Sequence, residues 1–219
     1  MLDLNSYLVV IFSTGETTTT LSEYCFNRLG FTNVIMLNNE MGFYEKFIAF
    51  ADIAHYSEYT TFIRSDSDRL VFDGIKELIE LYEDSNIDNA EGWGFDFLLN
   101  KFRAATPQIY SKASLSLLHE NNQLISDVQK PENYFCTNAK LRSESFRCFT
   151  NLHDFNQRPS KICNSAINRL YRDGYTHFDL SYIDSLPLPY KQAFKTADEY
   201  VKRNAFKTTM KHEQFDMLD

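Results

Sequence analysis

Apolar residues recur along the first hundred positions in two alternating rhythms. "YLVVIF" (7–12), "NVIML" (33–37) and "YTTFIR" (59–64) are short apolar runs that predict strands, and the continuous, β-branched first run is the pattern of a strand buried on both faces. Between them the apolar positions step at helical spacing. Leu21, Tyr24, Cys25 and Leu29 form one stripe, ended by Gly30, and Phe43, Phe47, Phe50, Ala51 and Ala54 form another within 42–55. A third helix, "GIKELIELYEDS", is predicted to start from Asp73 as its N-cap. Strands and helices alternating through short links predict an α/β fold, its sheet parallel in this half with helices on its faces. Such sheets bind ligands beyond the carboxyl ends of their strands.

The second half is less regular. "GWGFDFLLNKF" (92–102) and "PQIYSK" (107–112) mix strand and loop signals, residues 112–122 read as a helix, and "QLISDV" reads as a short strand. Residues 131–159 show no clear period and are expected to loop around an active site. "SKICNSAINRLYRDG" reads as a helix capped by Ser160 and stopped by Gly174, and residues 189–206 as a final amphipathic helix. Without a repeat or a long linker, the expectation is a single domain over 1–219, with a ligand-binding half (1–110) and a second-substrate half (111–219).

Composition narrows the function. With 22 basic and 30 acidic residues the net charge is −8, which argues against a nucleic-acid-binding surface. The opening "MLDLNSYLVVIFSTG" lacks a basic leader, and its apolar run is too short to cross a bilayer. A soluble, cytoplasmic chain with no membrane span is expected. Four scattered cysteines with no CxxC pair fit a reducing compartment and argue against a zinc site.

The candidate chemistry sits in "FIRSDSDRLVF" (62–72). Asp66 and Asp68 close the third strand with Ser67 between them, so strand alternation points both carboxylates the same way. Two like charges on one side call for a cation. Asp-Ser-Asp after a buried strand resembles the DxD motif of GT-A-fold, nucleotide-sugar-dependent glycosyltransferases, and the compact, aromatic-rich chain around "RSDSDR" is similar to the chlorella-virus enzymes that decorate capsid glycans. The resemblance implies a GT-A-like (Rossmann-like) mixed sheet, mostly parallel in its N-terminal half and flanked by helices. It implies a metal-dependent transfer of a sugar from a nucleotide-diphosphate donor, by class a UDP-sugar, to a glycan or glycoprotein hydroxyl. Asp66 and Asp68 would hold Mn2+ or Mg2+ against the diphosphate, where a hard cation neutralises the charge of the leaving group.

The same resemblance marks further residues. The loop after the first strand, "FSTGETT" (12–18), would meet base and ribose through Thr14, Gly15 and Glu16; it lacks the glycine and lysine of a Walker loop. Arg64 shares a face with Asp66 and would contact phosphate or orient the carboxylates. In "EGWGFDF" (91–97) Trp93 offers a stacking face for a sugar, and Asp96, ahead of Glu91, is the candidate base for the acceptor hydroxyl. In "YTHFDLS" (175–181) His177 and Asp179 share one side of an extended segment, and His177 is the candidate third metal ligand. The other four histidines show no metal spacing.

Two alternatives stand beside this reading. Asp66 capping a turn, with Asp68 paired to Arg64 or Arg69, would make a non-catalytic α/β binding module. A nucleotidyltransferase would also need an aspartate pair, but it usually carries a glycine-rich basic loop after the first strand, and "STGETTTT" has one glycine and no base.

Overall fold

The computed structural model describes residues 2–38, 40–125, 131–155, 157–167 and 179–204. Seven strands form one sheet: β1 (Tyr7–Phe12), β2 (Val34–Leu37), β3 (Thr61–Asp66), β4 (Arg69–Val71), β5 (Asn89–Asp96), β6 (Lys101–Ser111) and β7 (Ser143–His153). Their order is β2-β1-β3-β6-β5-β7-β4. β1 is parallel to β2 and β3, β5 is parallel to β7, and β6 runs antiparallel between β3 and β5. A four-residue link joins β5 to β6, too short for a crossover, so the chain turns back on itself as a hairpin. This is a mixed α/β sheet, parallel in its N-terminal part as the sequence predicts.

Alternation along β1 divides the core. Tyr7, Val9 and Ile11 face a cluster with Phe26 and Phe31 from α1 (Thr19–Leu29) and the segment after it, and Ile75, Leu78, Ile79 and Tyr82 from α3 (Gly74–Glu83). Leu8, Val10 and Phe12 face the opposite cluster, with Phe47, Phe50, Ala51 and Ala54 from α2 (Phe43–Tyr56), Leu115 and Leu118 from α4 (Lys112–Glu120), and Phe135 from α5 (Pro131–Asn138). With both faces covered, an uninterrupted apolar β1 is what burial requires. A third cluster joins Leu98 to α6 (Pro159–Ile167), α7 (Leu180–Ser185) and α8 (Leu188–Asn204). Among the described residues no helix is long and apolar enough to cross a membrane.

The structure corrects several sequence assignments. Residues 131–159 hold α5 and the eleven-residue strand β7 rather than loops. The first half of β7 is solvent-exposed, so its sequence alternates weakly. Residues 122–124 form a 3-10 turn, not the start of a strand. "EGWGFDF" is central strand, and its glycines make room for β7. A Cβ on Gly94 would meet the Asn151 amide at 2.4 Å, and one on Gly92 the Thr150 side chain at 2.2 Å. Asp73 makes no cap bond to the backbone and pairs with Lys76 at 3.1 Å. α6 begins at Pro159, a favoured first helical residue, which places Ser160 inside the helix. Its expected stop, Gly174, lies outside the described residues.

Gly74 opens α3 directly over β7, and a Cβ there would stand 1.9 Å from the Phe149 carbonyl oxygen. Backbone cannot yield as a side chain can. Gly74→Ala should therefore destabilise the protein by about 2 kcal/mol or more, although alanine is the better helix former by about 1 kcal/mol. A denaturant midpoint equal to or above that of the parent would show that α3 and β7 are less tightly apposed.

Candidate functional site

Because β1, β3, β5 and β7 run the same way, their carboxyl ends meet at one rim. β1 delivers the Ser13–Thr18 loop, β3 delivers Asp66 and the Ser67–Asp68 turn into β4, β5 ends in Asp96, and β7 ends in His153 followed by Asp154. The loops are laced together. Ser67 N donates to Phe12 O at 2.9 Å, Asp154 N to Asp68 O at 3.3 Å, and Thr18 Oγ1 to Ser67 O at 2.8 Å.

Asp66 and Asp68 diverge. Asp66 lies on the α2 side of the sheet, where Oδ1 accepts from Arg64 Nη2 at 2.6 Å and Oδ2 from Thr106 Oγ1 at 3.0 Å. Arg64 is 2 % exposed, also donates to Gln108 Oε1, and has the rings of Phe12 and Phe43 within 4.9 Å of its guanidinium carbon. Thr106 reaches Asp66 because β6 is bulged. Glu91 pairs with Gln108 and Gly92 with Ala105, which leaves Thr106 and Pro107 out of the ladder. A proline there removes no ladder hydrogen bond.

Asp68 instead turns toward β7. Its Oδ2 stands 3.3 Å from His153 Nε2, which is also 3.5 Å from Asp154 Oδ2. Asp68, His153 and Asp154 each offer a ligand atom, all within 4.8 Å of one another. Asp154 has φ 59°, a left-handed conformation uncommon outside glycine that aspartate tolerates better than most residues. Its Oδ1 accepts from Ser165 Oγ on α6. Two carboxylates and one imidazole suit a divalent cation that takes oxygen and nitrogen, Mn2+ better than Mg2+.

Behind this trio Asp96 is fully buried. It accepts from Arg103 Nε at 2.8 Å, from Leu99 N at 3.0 Å, and from His153 Nδ1 at 3.0 Å. Arg103 Nη2 also lies 3.1 Å from Nδ1. Arginine only donates, so the two neighbours compete for that nitrogen, and an ionised Asp96 holds the proton on it. Nε2 is then left facing Asp68 and Asp154, the tautomer a metal ligand needs. Burial and the nearby Arg69 push the His153 pKa down, but Asp154, Asp68 and Asp96 outweigh them, and it lies above the ordinary histidine value. Arg69 Nε, 3.5 Å from Asp68 Oδ1, adds a fixed positive charge beside the trio.

In the β1 loop, the Glu16 carboxylate accepts from Thr14 N at 2.7 Å and is bonded to the hydroxyls of Thr14 and Ser67. Gly15, at φ 82°, makes the turn. Thr14, Gly15, Glu16, Arg64, Asp66, Asp68 and Asp96 thus all stand at or just behind the rim. His177 lies outside the described residues. Asp179 has extended backbone and caps α7, its Oδ1 accepting from Tyr182 N. Trp93 packs beneath the Arg147 guanidinium at 5.3 Å. His153 and Asp154 were missed from sequence because β7 was; a His-Asp pair closing a strand was the available signal.

No protein-family profile and no curated protein matches the sequence. Among solved structures, the chain is similar to A197 from STIV, with a TM-score of 0.51 and 12% identity over 64% of this chain and 81% of that one. Weaker likenesses include S. aureus TarS 1-349 (0.46, 11%, covering 95% and 68%) and CMP:2-keto-3-deoxy-manno-octonic acid synthetase complexed with CTP (0.47, 10%, covering 77% and 99%). These are likenesses of fold, a mixed α/β sheet flanked by helices.

Asp96→Ala would leave His153 and Arg103 without their shared counter-charge. The expected cost is about 3 kcal/mol, read as a lowered denaturant midpoint. Asp96→Asn, which keeps the shape and an acceptor oxygen, should cost clearly less. Parent-like midpoints for both would mean that the carboxylate does not hold this corner together.

Proposed function

We propose that this chain is a metal-dependent transferase that takes a sugar from a nucleotide-diphosphate donor, a UDP-sugar, and passes it to a hydroxyl of a glycan or glycoprotein. The observation that carries the reading is the convergence of Asp68, His153 and Asp154 at the strand-end rim of a GT-A-like sheet. These three residues would hold Mn2+ or Mg2+, and the ion would neutralise charge on the diphosphate as it leaves.

The chain's own groups then divide the work. His153 is kept in one tautomer by Asp96, and Arg64 with Thr106 fixes Asp66 on the donor side. Thr14, Gly15 and Glu16 form the loop that meets the nucleotide. Asp96 was expected as the acceptor's base, but the carboxylate is fully buried and already bonded to Leu99, Arg103 and His153, and orienting His153 is the task its position supports. Asp66, expected as a metal ligand, is bonded by Arg64 and Thr106 away from the trio. Donor binding is therefore the role its contacts support.

A nucleotidyltransferase is the second reading. Lys46 and Lys161 approach the β1 loop from α2 and α6 and supply the positive charge its sequence lacks. The products separate the two, since sugar transfer releases a nucleoside diphosphate and nucleotidyl transfer releases pyrophosphate.

Titration calorimetry of UDP-sugars with and without Mn2+ tests the site. Asp68→Asn, Asp154→Asn and His153→Gln should each weaken metal-dependent binding by about tenfold or more while the protein stays folded. Asp66→Asn should weaken donor binding whether or not metal is present. Equal metal-dependent binding by the parent and all three trio variants would remove the metal reading.

A further inference from the structure

The Glu16 carboxylate is held as an anionic ligand would be. It accepts from the Thr14 backbone N–H, the Thr14 hydroxyl and the Ser67 hydroxyl, with Lys161 Nζ at 3.5 Å. Converging N–H, O–H and ammonium donors are the set that a phosphate oxygen attracts. Lys161 comes from α6 and also donates to Thr14 Oγ1 at 2.6 Å, so the donors belong to three separate segments of the chain.

A second observation lies beneath this loop. Lys46 is fully buried, yet among the described residues its ammonium makes a single hydrogen bond, to Ser13 O at 2.5 Å, and no ion pair. An ammonium has three donors, and burying one with a lone carbonyl partner is costly. Burial pulls the Lys46 pKa below the usual lysine value; Glu16 and Asp66 favour its charge and Lys161 opposes it. The corner thus gathers Lys46, Arg64 and Lys161; Arg64 is paired with Asp66, Lys161 approaches Glu16, and Glu45 and Glu132 also act on Lys46 and Arg64. Displacing Glu16 takes one negative charge away from Lys46 and Lys161.

We propose that Glu16 occupies a phosphate-binding site formed by Thr14, Ser67, Lys161 and Lys46, and that a phosphate-bearing ligand binds by displacing the Glu16 side chain. The site takes phosphate oxygens, whether from free pyrophosphate or from a nucleoside diphosphate. That the source is a nucleotide rests on the function proposed above; the anion site itself does not. Gly15 is the joint that lets Glu16 swing out, since its φ of 82° sits where glycine moves at little cost. Occupancy by Glu16 lowers the apparent affinity by the fraction of molecules in which the site is closed.

Calorimetry in EDTA tests this, with inorganic pyrophosphate and UDP titrated separately into the parent, Glu16→Gln, Glu16→Ala, Glu45→Gln and Lys161→Met. Removing the resident anion should tighten pyrophosphate binding by about tenfold in at least one Glu16 variant. Glu45→Gln changes the net charge equally but leaves the pocket closed, and should stay within about twofold of the parent. Lys161→Met should bind about tenfold more weakly. If neither Glu16 variant binds pyrophosphate more tightly than Glu45→Gln while melting as a folded protein, the proposal is overturned. UDP bound more tightly than pyrophosphate assigns the site to a nucleotide, and equal affinities assign it to free phosphate. No divalent ion is present, so loss of the metal-dependent reading would leave this result standing.

Discussion

A carboxylate sealed inside a protein must be neutralised where it stands, and the rim of this molecule is organised around one. Asp96 ends β5 with no solvent contact, and its partners come from β6, from β7 and from the turn that follows it. Leaving such a charge unmatched costs several kcal/mol, so β5, β6 and β7 must keep their register for Arg103 and His153 to reach it. His153 is fixed as a result, and Asp68 and Asp154 gather against the nitrogen that Asp96 does not use. The arrangement is a carboxylate behind a histidine with a ligand position in front, in which the rear partner sets what the front atom can do.

The other side of the rim solves the same problem with different means. Arg64 is buried among aromatic rings, with Asp66 and Gln108 for its hydrogen bonds. The DSD turn thus sends Asp66 to Arg64, and Asp68 to His153 and to Arg69, whose Nε lies 3.5 Å from Oδ1. A motif read as one paired site is, in three dimensions, a branch point between two.

Sequence legibility follows burial. β1, β3 and the helices beside them were legible because both sheet faces are covered there, so the strands read as apolar runs and the helices as clean stripes, while the part-exposed edge strand β2 was legible from its short apolar run alone. β7 was not, because its first five residues are exposed or half-exposed and its last ones carry Thr150, Asn151 and His153 inward. Buried polar residues imitate a loop in any reading by hydropathy. The site was half-legible for the same reason. Asp68 follows a readable strand, whereas His153 and Asp154 close an unreadable one. Asp96 was found as a carboxylate but given the wrong surroundings, since no one-dimensional pattern shows that Arg103 and His153 flank it. Strand alternation also misled at Asp66 and Asp68, because it assumes that the strand continues; here β3 stops at Asp66 and Asp68 lies in a turn.

The position of β7 in the sheet has a kinetic consequence. β4 follows β3 in the chain but is hydrogen-bonded into the sheet by β7, which arrives about seventy residues later. Until then residues 69–71 have no strand to join, and Asp68 has no histidine to face. The five strands β2, β1, β3, β6 and β5 can pair without waiting, and between them they line both large apolar clusters. Closing the contact between Asp68 and His153, 85 positions apart, is an entropic step that local helix formation does not help. The order of assembly therefore separates the scaffold from its chemistry: the apolar interior can form early, and a single late strand makes the rim.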